Sequence, residues 1–164
     1  LETLLEASKY LRDNEINFSL TIAGYGSQTE ILIRKTKELG LSNFIEFTGR
    51  YDYQKLPELL NKYDFFISTS LSDAGLASSI AEAMACQNIV IVSDSADNKS
   101  WITNCDNGFL FRTGSAQSLY KTIVSAIDKK EIWNKISLKA RKTILERNDI
   151  TNEMRKMYKL MELI

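Results

Sequence analysis

The chain has 164 residues, 44% hydrophobic and 26% charged, with one proline and seven glycines, which supports one folded core and excludes collagen, coiled coil or disorder as a description of the whole. Twenty-one Lys and Arg balance twenty-one Asp and Glu, so no long-range field draws the molecule to nucleic acid or an anionic membrane, and any anion has to be held locally. Histidine is absent, which removes His-based acid–base chemistry, Ser-His triads and His-ligated metals, and the two cysteines, Cys86 and Cys105, lie outside any C-x-x-C spacing and fit a reducing, cytoplasmic setting.

Leu4, Leu5, Ala7 and Leu11 share a helical face that ends at Asn14 and Glu15, and the β-rich run Phe18–Ala23 follows, bounded by Gly24. A second helix carries Leu32, Ile33, Thr36 and Leu39 and stops at Gly40, before a strand at Phe44–Phe47 closed by Gly49. Leu56, Leu59, Leu60 and Tyr63 stand at helical spacing with Pro57 in the first turn, and the next strand runs from Asp64 to Thr69. A helix over Ala77–Cys86 leads to Ile89–Val92, the most hydrophobic run and a central strand, and a last strand, Gly108–Phe111, follows the turn at Asp106 and Asn107. From Ser115 onward the pattern is helical, with Met154, Met157 and Met161 forming a stripe at the end. Such a stripe usually packs in a core, and its terminal position suggests a neighbouring domain.

Strands alternating with helices predict an α/β fold, a Rossmann-like doubly wound parallel sheet with a C-terminal helical tail. Ligands of such sheets sit beyond the carboxyl ends of the strands, which directs attention to loops 24–27, 48–52, 70–76 and 93–98. No run approaches the roughly 20 apolar residues that span a bilayer, and no leader-like start is present. The chain opens at Leu1 inside a helical pattern and reads as one domain, residues 1–164, cut from a longer protein.

The segment Ser70 to Cys86 leaves a strand through small residues and enters a helix with no bulky side chain in its first turn. A helix start offers unbonded N–H groups and about half a positive charge, enough to hold phosphate without a lysine. Glu82 then sits where its carboxylate can accept hydrogen bonds from vicinal hydroxyls such as those of a ribose. The competing structural reading is a capping box between Ser79 and Glu82. Gly24-Tyr25-Gly26 after the first strand permits close approach of a phosphate or makes a plain turn. Thr29 stands where a dinucleotide fingerprint needs its third glycine, which argues against a nicotinamide or flavin site. Arg50-Tyr51-Asp52 either holds a base or is a solvated start of a helix with Asp52 as N-cap. Lys129-Lys130-Glu131 reads as a solvated turn, and both cysteines as ordinary thiols.

Taken together, Leu20–Gly26, Ile45–Gly49, Tyr63–Ser70, Glu82–Cys86, Ile89–Ser93 and Asn107–Phe111, in this order and spacing, resemble the carboxyl-terminal, donor-binding half of a GT-B glycosyltransferase of the retaining family called glycosyltransferase family 4 or group 1. The resemblance implies that Gly75, Leu76, Ala77, Ser78 and Ser79 face the diphosphate of a nucleotide diphosphate sugar, that Glu82 binds its ribose, and that Gly49, Arg50 and Tyr51 lie near the base; Gly24 and Gly26, which let the backbone approach a phosphate, join them as candidate nucleotide-sugar-binding residues. The family's E-x7-E signature places its first glutamate at Ala74, and the neighbouring Asp73 is the candidate to contact the donor sugar instead. The Arg and Lys that usually hold the diphosphate lie ahead of the first helix, and the acceptor-binding half is absent.

The implied activity is sugar transfer with retention to a polysaccharide or glycolipid, in surface-polysaccharide biosynthesis, with no metal or other cofactor and no catalysis by the fragment alone. The implied partners are the nucleotide sugar and the missing N-terminal half, not nucleic acid; membrane contact, at the inner face, is left to that half. The alternatives are a non-catalytic nucleotide-binding or interaction module on the same fold and a flavin- or dinucleotide-binding domain.

Overall fold

Helix α1 (Glu2–Asp13) buries Leu4, Leu5, Ala7 and Leu11, the four residues its periodicity selects, and closes where the Asn14 side chain donates to the Tyr10 carbonyl at 2.9 Å. The computed structural model describes residues 1–72, 75–95, 97–147 and 149–161, with the side chains of all but Asn152 and Leu160. Strand β1 (Leu20–Ala23), α2 (Thr29–Glu38) and β2 (Ile45–Gly49) follow. A 3-10 turn at Tyr53–Lys55 then runs into α3 (Leu56–Leu60), with Pro57 in the first turn as expected. Strand β3 (Phe65–Ser68), α4 (Ser78–Ala85), β4 (Ile89–Ser93), α5 (Asn98–Trp101) and β5 (Phe109–Phe111) complete the alternation. The helical tail is α6 (Ala116–Ile127), a 3-10 turn at Lys130–Ile132, α7 (Trp133–Arg147) and α8 (Ile150–Met161).

Every strand pair is parallel. β1 pairs β2 with Leu20 opposite Ile45, β3 pairs β4 with Phe65 opposite Ile89, and β4 pairs β5 with Ile91 opposite Phe109. Successive side chains of a strand point to opposite faces, and the core divides accordingly. Ile89, Ile91, Phe109 and Phe111 pack with α1 and α6, whereas Val90 and Val92 pack with α3, α4 and the second half of α7. Helices therefore cover both faces of a Rossmann-like α/β layer, and all five residues of β4 are buried, as its unbroken apolar run requires.

Three details depart from the sequence reading. The sheet is hydrogen-bonded in two pieces, β1-β2 and β3-β4-β5. Leu20 of β1 and Phe65 of β3 pack against the same cluster, and the Tyr63 hydroxyl bonds Thr21 Oγ1 at 2.7 Å. The loop after β4 contains a four-residue helix, α5, anchored by buried Asn98, whose side-chain nitrogen donates to the Ser93 carbonyl at 3.0 Å. The methionine stripe is not core: Met154, Met157 and Met161 are 38%, 43% and 56% exposed, along with Ile150 and Tyr158, on an α8 that touches little but α7.

Beyond β4, Asp94 ties the exits of β4 and β5 together. Its Oδ1 accepts from the Thr113 amide at 2.9 Å and the Thr113 hydroxyl at 2.8 Å, and Lys99 stands 3.2 Å from Oδ2. The Thr113 bonds, the backbone one foremost, hold the carboxyl at about 2 against an ordinary 3.8. A folded value below the unfolded one contributes stability that is complete above the ordinary value and is lost as pH falls through the folded one. Thermal unfolding is therefore expected to lose stability between about pH 4 and pH 2, and Asp94→Asn is expected to flatten that part of the pH profile, measured by circular dichroism.

Candidate functional site at the carboxyl ends of the strands

The loop leaving β3 is tied to β4 before it reaches α4. The Ser70 carbonyl accepts from the Ser93 hydroxyl at 2.6 Å and from the Ser95 hydroxyl at 3.3 Å. Gly75 then takes a φ of +80°, a left-handed conformation that suits glycine, and Leu76 and Ala77 turn into the cluster under α4. Helix α4 starts from Ala77, whose ψ of 139° is extended and which has no capping side chain. Ile80 and Ala81 both donate to the Ala77 carbonyl, at 3.0 and 3.1 Å. That leaves the N–H groups of Ser78 and Ser79, both exposed, with no acceptor among the described residues, the donor pair an anion needs.

The capping box between Ser79 and Glu82 does not form, because Ser79 lies inside the helix and Ala77 is its cap. Glu82, half-buried in the second turn, instead accepts a hydrogen bond at Oε1 from the Tyr53 hydroxyl at 2.7 Å. Its Oε2 meets no donor among the described residues. The Glu82 carboxylate raises the Tyr53 phenol above its usual value, so the hydroxyl stays a donor at neutral pH. Tyr53 escaped the sequence reading, which stopped at Arg50-Tyr51-Asp52; its only signal was its place one residue past the Asp52 cap.

The segment after β2 resolves toward its structural role. Asp52 Oδ1 accepts from the Gln54 amide at 3.0 Å and caps the 3-10 turn, while Arg50 and Tyr51 stand exposed beside it. Gly24 and Gly49 bind each other, Gly24 N–H to the Gly49 carbonyl at 2.7 Å, and both have positive φ, +119° and +66°. Gly26 closes a plain turn with Thr29, whose hydroxyl accepts from its amide at 2.9 Å. The structure thus gathers Glu82, the Ser78–Ser79 amides and the Tyr53 turn at one end of the sheet. Asp73 and Ala74 lie outside the described residues.

Two hollows, of about 540 and 340 Å³, lie elsewhere, between β5 and α6 and at the amino ends of β1 and β2. Among the described residues no three His, Cys, Asp or Glu side chains cluster to hold a metal ion, and no helix is long and apolar enough to cross a membrane. Cys86, partly covered, has its thiol pushed up by burial, as expected of an ordinary thiol rather than a nucleophile.

Parallel strands under helices on both faces, with an uncapped helix start and a carboxylate at their carboxyl ends, define a Rossmann-like α/β domain with a candidate site where such sheets hold their ligands. The chain belongs to the family described as Glycosyl transferases group 1, whose pattern matches residues 1–143. It is 25% identical over 151 residues to the protein described as uncharacterized glycosyltransferase MJ1069 of Methanocaldococcus jannaschii, covering 92% of this chain and 38% of the relative. Among solved structures it is similar to Anabaena Alr3699/HepE in complex with UDP, with TM-score 0.88 and 20% identity over 99% of this chain and 45% of that one. It also resembles the C-terminal domain of the group 1 family protein LpcC from Francisella tularensis, with TM-score 0.76 and 21% identity over 90% of this chain and 78% of that one. The chain spans less than two fifths of the length of the curated relatives it matches.

Proposed function

We propose that this domain, residues 1–164, binds the nucleoside diphosphate of a sugar donor for a two-domain retaining glycosyltransferase. The carrying observation is the start of α4, where two unbonded amides precede a carboxylate whose second oxygen is free. The amides of Ser78 and Ser79 take the diphosphate and Glu82 takes the ribose hydroxyls. Similarity to a protein solved with UDP supports this choice of ligand. The base lies toward Arg50 and Tyr51, and Asp73, beside the alanine at 74, contacts the sugar.

Stabilising the departing diphosphate with fixed donors is the main catalytic contribution of such a site, and transfer proceeds without a metal ion. The acceptor, a polysaccharide or glycolipid, belongs to a second domain of the parent polypeptide, which works in the cytoplasm.

The test uses backbone chemistry. Proline at the first helical position has a compatible φ and removes one N–H, and the extended Ala77 suits the residue before it. Ser78→Pro in the complete parent polypeptide is expected to leave its melting temperature unchanged and to weaken UDP or GDP binding about tenfold or more, since a hydrogen bond to a charged group is worth roughly 1.5–3 kcal/mol. Calorimetry checks this, and undiminished affinity for both nucleotides refutes the phosphate cradle.

A further inference from the structure

The hollow of about 540 Å³ between β5 and α6 has no part in nucleotide binding as proposed above. β5 ends the hydrogen-bonded order β3-β4-β5, and an end strand ordinarily invites another strand to pair with it. This one is closed to such pairing. The Phe111 carbonyl accepts from the Asp94 amide beyond β4, so the backbone groups of Leu110 and Arg112, one residue to either side, face away from β4. Their N–H groups are already taken, that of Leu110 by Asn104 Oδ1 at 2.6 Å and that of Arg112 by Ser118 Oγ at 2.9 Å. An extended peptide therefore finds no donors to join, and the space beside the strand is left to a small molecule. Its volume falls within the roughly 300–1,000 Å³ of small-molecule pockets.

The same two bonds set the chemistry of the hollow. Asn104 spends its side-chain oxygen on the strand and keeps its Nδ2 hydrogens, which meet no acceptor among the described residues. The Ser118 oxygen accepts from the strand in the same way, and its hydroxyl hydrogen remains to be given. Further along α6, Lys121, Thr122 and Ser125 line the same space. Among the described residues no Asp or Glu lines it, and neither Arg112 nor Lys121 belongs to an ion pair. In a chain whose charges cancel, unpaired cations and spare donors gathered in one hollow select a negatively charged ligand. A bare phosphate would leave most of this volume unfilled. A sugar ring fills it and offers hydroxyls to Asn104, Thr122 and Ser125 while its anion meets Arg112 and Lys121.

We propose that the hollow between β5 and α6 is a second binding site, for a sugar that carries a phosphate or a carboxylate, with Arg112 and Lys121 holding the anion. Such a ligand arrives either free, as a sugar phosphate, or as an acidic unit of a saccharide chain. The inference stands apart from the nucleotide reading, because it shares no residue with the start of α4 or with Glu82.

The complete parent polypeptide is to be titrated by calorimetry, with and without UDP, against glucose 6-phosphate, trigalacturonate, glucose and inorganic phosphate. At least one of the charged sugars is expected to bind alike in both conditions and about tenfold or more tightly than glucose or phosphate, as a charge-assisted bond added to a hydroxyl network requires. Tighter binding of glucose 6-phosphate assigns the site to a free sugar phosphate, and tighter binding of trigalacturonate assigns it to a chain. Replacing both exposed cations, Arg112→Gln with Lys121→Gln, is expected to keep the melting temperature and to weaken that ligand about tenfold or more. Failure of both charged sugars to bind, equal affinity for inorganic phosphate, or unchanged affinity in the double variant overturns the proposal. So does displacement of the sugar by UDP, which would move it to the start of α4.

Discussion

Glu82→Gln in the parent polypeptide is expected to weaken UDP or GDP binding by about ten- to a hundredfold while leaving the fold intact. The amide keeps the shape, and its carbonyl still accepts from Tyr53, so the partner that stands 2.7 Å away is not orphaned. What disappears is the charged acceptor oxygen left open toward ligand hydroxyls, replaced by an amide nitrogen that only donates, and a charge-assisted bond is worth about 1.5–3 kcal/mol, with roughly 1.4 kcal/mol for each tenfold. Tyr53→Phe acts through Glu82 and not on the ligand. It frees the carboxylate to rotate, so its effect is smaller and vanishes in the Glu82→Gln background. A double-mutant cycle on calorimetric affinities separates the two: non-additivity between them marks positioning. Full affinity in Glu82→Gln, with an unchanged melting temperature, would remove Glu82 from the ribose.

Where the sequence speaks through periodicity it is legible. The run Ile89–Val92 is central because four consecutive β-branched apolar residues, two on each side of the pleat, have no solvated face to offer, and all of β4 is buried. The small-residue start of α4 was also readable, since no bulky side chain crowds its first turn. Tyr53 was not, because its partner is 29 residues away and no local pattern records a contact made by tertiary packing. The same holds for the two-piece sheet. The partly buried strands β1 and β3 carry no mark of which edge each presents. Conversely, the Ser79–Glu82 spacing satisfied a local rule that the tertiary structure overrides by starting the helix at Ser78.

The largest loss of stability is expected at the middle of β4. Ile91 is fully buried, pairs with Ile67 on one side and Phe109 on the other, and its side chain lies in the cluster beneath α1 and α6. Ile91→Ala leaves a cavity flanked by strands that cannot collapse without breaking both ladders, so a loss of about 2–5 kcal/mol is expected, a large part of a typical domain's 5–15 kcal/mol. Ile22→Ala on half-exposed β1 should cost clearly less, because less apolar area leaves water there. Overfilling the same region tests the argument from the opposite side. A Cβ on Gly108 would meet Val90 Cγ2 at 2.7 Å, the Val90 carbonyl oxygen at 3.0 Å and Ile102 Cγ2 at 3.1 Å. The Val90 carbonyl belongs to the central strand and has little room to withdraw, so Gly108→Ala should cost about 1–3 kcal/mol although it adds a single methyl group. Urea titrations followed by fluorescence should show both midpoints falling at unchanged slope. A midpoint for Ile91→Ala no lower than that for Ile22→Ala would mean that β4 is not the strand on which the core is built.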